Sequence, residues 1–403
     1  MNEFFLNPFK PGAGHMPPHL AGRDIEKQEF LYLISQKVIL NNMVLTGLRG
    51  VGKTVLLNTF KPLAIQNNWL WVGADLSESA SVSEGNLALR LMTDLAVLTS
   101  NIIIQKDDIT KIGFHSESNS VEIKLTFNYL VALYKKTPGL VIDKLKFILE
   151  FVWQSIKDLN INGLIFAYDE AQNLSDQALK EQYPLGILLD VFQSLQKKDI
   201  PFMLVLTGLP TLFPKLVNSR TFSERMFRVI ILKRLKENDS REAILKPIEN
   251  KNCPVKLTDK SVDIIVKQSG GYPYFIQFIC RETYDLFISQ LKVGKDPGVP
   301  INEITRKLDS DFFAGRWARA TDRQRELLLI ISQLPNSNEE FAVQEVVDLS
   351  KKNMEKPFSN SHVNQMLNSL TTAGLIYKNR YGKYAFAVPL LDQFIIRQGK
   401  NNE

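Results

Sequence analysis

Short, wholly apolar runs alternate along this chain with longer stretches whose apolar residues recur every three or four positions. The short runs read as buried strands, and the longer spacing reads as helices packed against them. Met43-Val44-Leu45, Trp69-Leu70-Trp71-Val72, Leu164-Ile165-Phe166-Ala167 and Phe202-Met203-Leu204-Val205-Leu206 are the strand runs, the first reaching back to Val38-Ile39-Leu40. Helical spacing covers 26–36, the residues after 54, 85–99 (Leu87, Leu89, Leu91, Met92, Leu95, Leu98) and 139–159. Strand and helix in alternation predict an α/β domain on a parallel sheet. Period-two alternation over 110–115 and 121–127, around the polar stretch 116–120, predicts an inserted hairpin at about 108–128.

Beyond about residue 236 the pattern is helical, over 241–248, 259–268, 273–290 and 301–313. From 316 it changes again. Three amphipathic helices (323–333, 343–351, 360–373) end at Gly374, and two short strands, 375–378 and 384–388, follow. Helices followed by a hairpin predict a winged helix. Residues 1–25 are rich in proline and glycine and read as an extended lead-in. The expected organisation is therefore a lead-in (1–25), an α/β core (26–235), a helical lid (236–315) and a winged helix (316–403).

Composition narrows this only slightly. At 403 residues the chain holds more than one domain, and 44% hydrophobic with 23% charged residues suits a globular protein. No apolar run reaches membrane-span length, and no secretory leader is visible, so a cytoplasmic location is expected. Cys253 and Cys280 are far apart and outside metal-ligand spacing. The net charge of +6 permits nucleic acid as a partner without requiring it.

The sharpest chemical signal lies between the first strand and its helix: Gly47-Leu48-Arg49-Gly50-Val51-Gly52-Lys53-Thr54, followed by Val55. Glycine, four residues, then Gly-Lys-Thr is the phosphate-loop pattern, and strand–loop–helix is its required context. Glycines let successive amides turn inward as a nest, and the helix adds the positive end of its dipole. Lys53 brings a point charge to the outer phosphates, and the Thr54 hydroxyl is a Mg²⁺ ligand. ATP with Mg²⁺ is the expected ligand pair. A second signal closes the strand near 165, where Asp169 and Glu170 follow an apolar run. In a parallel sheet chemistry gathers at strand carboxyl ends. Asp169 would join the Mg²⁺ shell and Glu170 would polarise the attacking water. Thr207, ending the next strand run, senses the terminal phosphate, orients the attacking water, or merely terminates the strand. Arg225 is the first candidate to stabilise a transferring phosphoryl group and Arg220 the second; a solvated basic surface is the rival reading. The lead-in, ending at Arg23, either lies over the nucleotide or packs on the sheet edge.

These residues together resemble the AAA+ superfamily of P-loop ATPases, on the origin-recognition-like and archaeal-ATPase branch that neighbours the STAND signalling NTPases. Gly270-Gly271-Tyr272-Pro273 is similar to the glycine-x-proline segment of the lid in that branch. The resemblance implies nucleotide contact through Tyr272 and Pro273, ATP hydrolysis, and ATP-dependent assembly with other copies. Many AAA+ lids carry an arginine just after this glycine, but here tyrosine, proline, tyrosine and phenylalanine follow. That departure implies slow hydrolysis.

Two outputs compete for the tail. Ser361, His362, Asn364 and Gln365 face outward on the third helix, and Lys378, Arg380 and Lys383 flank the hairpin tip. Such a face can enter a major groove with the hairpin on phosphates. It is nearly uncharged, so docking of a protein effector, as in a signalling or defence regulator, stands beside double-stranded DNA. A small-molecule kinase fits less well, since no acceptor-site insertion is visible.

Overall fold

The structure is a computed structural model that describes residues 6–109, 119–250, 253–292, 298–380 and 382–401. The chain forms two compact units: Asp24–Thr46 with Leu56–Ile231, and Met1–Arg23 with Gly47–Val55 and Leu232–Glu403.

Through residue 231 the elements are α1 (Asp24–Ile34), β1 (Asn42–Thr46), α2 (Lys53–Gln66), β2 (Trp69–Val72), α3 (Glu84–Thr99), β3 (Ile103–Ile109), β4 (Asn119–Lys124), α4 (Phe127–Lys136), α5 (Val141–Ile156), β5 (Gly163–Tyr168), α6 (Pro184–Gln196), β6 (Phe202–Gly208), α7 (Leu212–Ser219), α8 (Ser223–Met226) and β7 (Phe227–Ile231). β2, β5, β6, β1 and β7 lie in that order in one sheet, and every pairing is parallel. The fold class is α/β with a parallel sheet. β1, β5 and β6 are buried along their whole length, which is why they are written in unbroken apolar residues. Thr46 and Thr207 near the strand ends, and Asn42 at the start of β1, are the polar exceptions, and Asn42 has the largest polar group. It is fully buried, and its side chain exchanges hydrogen bonds with Gln196 and accepts one from Leu204 N at 2.7 Å. Satisfied on all sides, it costs the core little.

Several elements differ from the sequence expectations. β1 begins at Asn42, and Val38 and Leu40 stay outside it, exposed; a strand buried on both faces starts only where the chain is covered. The stretch holding the candidate arginines runs on into β7, an edge strand paired with β1. β3 and β4 pair antiparallel as an insertion after α3, but the expected first strand, 110–115, falls outside the described residues. β4 ends at Lys124 instead of continuing to 127, because Thr126 caps α4, its Oγ1 accepting from Tyr129 N at 3.3 Å.

The remaining elements are α9 (Glu237–Leu245), α10 (Asp259–Ser269), α11 (Pro273–Lys292), α12 (Ile301–Leu308), α13 (Ala314–Trp317), α14 (Asp322–Ser332), β8 (Phe341–Ala342), α15 (Val343–Asn353), α16 (Asn360–Thr372), β9 (Ile376–Arg380), β10 (Lys383–Phe386) and α17 (Leu391–Asn401). A π-helical turn, Asp309–Phe313, joins α12 to α13. β8, β10 and β9 form an antiparallel sheet beside α14–α16. One apolar core joins Phe9 and Leu235 to Phe275, Phe313, Leu367 and Phe394, so α9–α12 and α14–α17 share an interior. No described helix is long and apolar enough to cross a membrane.

Candidate nucleotide site

Residues 47–54 leave the end of β1 and turn into α2. Gly50 and Gly52 hold φ of +79° and +93°, which side-chain-bearing residues rarely adopt. A Cβ on Gly47 would stand 2.6 Å from the Leu232 carbonyl oxygen, so only glycine fits there. At Gly52 a Cβ would meet nothing within 4 Å, so the space beside it is open. The Lys53 side chain is buried and curls back, its Nζ donating to the Gly47 and Leu48 carbonyls at 3.0 Å each. Thr54 and Val55 lie in the first turn of α2.

Three contacts brace this loop. Arg23 is buried and donates to Val51 O at 3.0 Å and Lys233 O at 2.9 Å, so its guanidinium is committed to backbone. Gly14 of the lead-in lies against the Thr54 methyl, where a Cβ would be 3.3 Å from Cγ2. Tyr274, at the start of α11, donates its N–H to Gly50 O at 3.1 Å. Tyr272 precedes Pro273 at that helix start, and burial raises its phenol above the usual range. The link to the loop thus runs through the Tyr274 backbone, a residue that sequence reasoning missed. Its signal was present, since Gly271-Tyr272-Pro273 fixes how α11 begins.

The acidic strand end belongs to the sheet. Thr46 pairs with Gly208 and Tyr168 with Leu206, so β1, β6 and β5 finish along one edge. Asp169 follows β5, is buried, and bridges Asp75. Its Oδ1 accepts from the Thr207 hydroxyl and from Glu170 N, the latter at 2.8 Å. Thr207 is therefore the brace of that carboxylate. Glu170 has φ +51° and ψ +34°, a left-handed conformation that costs a glutamate on the order of 1–3 kcal/mol. Its Oε2 accepts from the Gln172 amide. Gln172 also accepts from Leu209 N at 3.1 Å, tying the acidic turn to the end of β6. Lys215 donates to the Gln172 carbonyl at 2.5 Å; burial lowers its pKa, opposed by Asp176. Thr46 Oγ1, at the same edge, is buried with no hydrogen-bond partner among the described residues.

The two candidate arginines separate cleanly. Arg220 is bidentate to Asp190 of α6 at 2.7–3.0 Å, which raises its pKa chiefly through those hydrogen bonds. Arg225 is exposed, and among the described residues nothing pairs with its guanidinium.

On the tail, Ser361, His362, Asn364 and Gln365 are all exposed on α16, opposite buried Val363, Met366, Leu367 and Leu370. Lys378 and Arg380 lie on β9, and Lys383 opens β10. Lys383 is paired with Glu345 of α15 at 3.5 Å.

Structural comparison places this arrangement. The Walker-type ATPase of Pyrococcus abyssi matches at 16% identity over 93% of this chain and 96% of its own, with a TM-score of 0.58. The ORC2 protein of Aeropyrum pernix, in its ADP form, matches at 14% identity over 98% of this chain and all of its own (100%), with a TM-score of 0.54. This chain shares the fold of these two archaeal proteins. The same ORC2 protein in ADPNP–ADP complexes gives a TM-score of 0.52 at 14% identity, covering 98% of each chain. A family model described as a domain of unknown function (DUF8462) matches residues 310–395. A search of curated protein sequences found no match.

Proposed function

We propose that this chain is an ATP-binding and slowly ATP-hydrolysing switch whose nucleotide state governs what its C-terminal module binds. The observation that carries the reading is the loop itself. Two left-handed glycines open a backbone nest, a buried lysine curls onto its carbonyls, and the lid helix α11 is hydrogen-bonded to it through Gly50. The open space beside Gly52 is where we place the phosphates of a nucleotide.

Each residue then has a task. Amides of 47–54 take the inner phosphates and Lys53 the outer ones. Mg²⁺ binds through phosphates and waters with one or two protein groups, and Thr54 and Asp169 are the groups we assign to it. When bound, magnesium supplies charge neutralisation between the outer phosphates. Thr207 and the Glu170 amide hold Asp169 in one orientation. Glu170 takes the proton of the attacking water once released from Gln172. Arg225, unpaired, is the better candidate to stabilise the transferring phosphoryl group; Arg220 serves Asp190. Such an arginine acts in cis or from a neighbouring copy, and the second case makes an ATP-dependent homo-oligomer part of the proposal. α11 opens with aromatic residues and no arginine, and this underlies the slow rate.

For the output, the winged-helix reading gives α16 to duplex DNA and β9–β10 to its phosphates. The second reading, a protein effector on the same face, is favoured by the absence of charge on α16 and by the Lys383–Glu345 pair. The deciding measurement is calorimetric titration of Mg-ATP into the full chain and into Lys53→Ala. Wild type should bind and the variant should lose affinity by at least about a hundredfold, the loss of a charge-assisted contact to a dense anion. Equal binding by both would overturn the assignment.

A further inference from the structure

Two left-handed residues meet where the tail rests on the lid. Gly270, in the turn before α11, holds φ +57°, and Leu390, just before α17, holds φ +61°. A leucine in this region is strained by its own Cβ, where a glycine is not. A Cβ on Gly270 would stand 3.0 Å from Leu390 Cδ2, so the leucine side chain occupies the space that the glycine leaves. Leu390 is also fixed from the tail side. In the chain it lies between buried Val388 and buried Leu391, and its carbonyl accepts from Phe394 N at 3.2 Å in the first turn of α17. Phe394 stacks on Phe313 with centroids 5.3 Å apart.

The same lid turn is clamped from its other side and leads to the loop. Leu235 N donates to Gly271 O at 2.8 Å, and a Cβ on Gly271 would be 2.6 Å from the Leu235 carbonyl oxygen. Three residues on, Tyr274 N donates to Gly50 O at 3.1 Å, and a Cβ on Gly50 would stand 3.1 Å from Tyr274 Cβ. Leu390, Tyr272 and Tyr274 all pack on the one shared apolar core. The tail meets the loop at a second point. A Cβ on Gly374, just past the end of α16, would be 3.9 Å from Arg49 Nη1. α16 has no basic residue in its last turn, and Arg49 brings a cation to that negative end of the helix dipole.

The peptide unit joining Gly50 to Val51 is planar and moves as one piece. Its carbonyl holds Tyr274, and its N–H belongs to the nest assigned to phosphate. A ligand that pulls on the N–H therefore turns the carbonyl too. We propose that Leu390 is a strained latch between the lid turn and the tail. Seated against Gly270 it stays left-handed; a nucleotide on the loop shifts that seat, and the start of α17 moves with it. This rests on the nucleotide reading above and supplies the physical link from loop to tail that such a switch needs. Coupling of this kind is reciprocal, so a tail partner that moves the start of α17 changes nucleotide affinity by the same factor.

The test is amide hydrogen exchange of the full chain with and without a non-hydrolysable ATP analogue and Mg²⁺, beside calorimetric affinity for the same analogue. The chains compared are wild type, Leu390→Gly, Leu390→Met and Gly270→Ala. In wild type the analogue should change exchange across 387–395 by at least about fivefold. Leu390→Gly adopts the left-handed conformation freely and loses the contact, so its response should fall below about twofold while it still binds the analogue. Leu390→Met keeps an apolar side chain and should retain most of the response. Gly270→Ala leaves Leu390 in place but crowds its seat, and should blunt the response as Leu390→Gly does. It carries the test if Leu390→Gly does not fold. A response of wild-type size in Leu390→Gly and Gly270→Ala would reduce Leu390 to ordinary packing and overturn the inference. So would a wild-type chain that binds the analogue while 387–395 stays silent, and the nucleotide reading would then stand alone. Wild type that binds no analogue removes the nucleotide reading and this inference together.

Discussion

The phosphate loop and the outward face of α16 are opposite ways to build a binding surface. In the loop nearly every group is committed. Glycine conformations, the Leu232 carbonyl behind Gly47, Arg23 on Val51 and Tyr274 on Gly50 leave one shape available. On α16 the polar side chains are exposed; Asn364 reaches back to the Asn360 carbonyl at 2.9 Å, and the His362 ring meets the Phe358 ring edge-on with centroids 5.9 Å apart. A small, dense anion must be met by preorganised backbone. A large partner can be met by many adaptable side chains, each worth little alone. The first kind of site fixes residue types at fixed spacing; the second fixes almost none.

If the rigid half is a catalytic site, its largest sensitivity lies at Glu170. Glu170→Gln removes the carboxylate but keeps the shape and a polar end near Gln172. Turnover of ATP should fall by about 10²–10⁴-fold while Mg-ATP affinity changes by less than about threefold. A phosphate-release assay beside calorimetry checks this. Unchanged turnover would move the base elsewhere and leave the left-handed Glu170 backbone without a catalytic reason.

Gly47→Ala probes the rigidity directly. The added methyl meets a backbone oxygen, which cannot swing aside as a side chain can. Overpacking of this kind costs about 1–3 kcal/mol, so Mg-ATP affinity should drop by roughly ten- to a hundredfold. Wild-type affinity in this variant would mean that the loop adapts, and the contrast with α16 would lose its basis.

What the sequence made legible follows the same division. The parallel sheet was readable because strands buried on both faces must be apolar throughout, and the loop because its glycines and Lys53 are dictated by phosphate chemistry. β7 escaped because its edge position tolerates Arg228 and partial exposure. The commitment of Arg220 escaped because Asp190, its partner, is thirty positions away on α6. Gln172 escaped because a lone glutamine after two acids has no spacing rule. It gains meaning only through groups that folding brings near, Glu170 and Leu209.

The smallest expected effect comes from the adaptable half. Lys383 is already paired with Glu345 at 3.5 Å on a partly exposed surface, and such pairs contribute about 0–1 kcal/mol. A duplex phosphate must compete with that carboxylate, so Lys383 can add only one modest, salt-sensitive contact. If the tail binds DNA, Lys383→Ala should reduce the slope of log affinity against log salt by about one and weaken all duplex sequences alike. Fluorescence anisotropy across a salt series measures both. Wild type with no salt-dependent duplex binding at all would assign the face to a protein effector, whose grip on α16 should then be indifferent to this substitution.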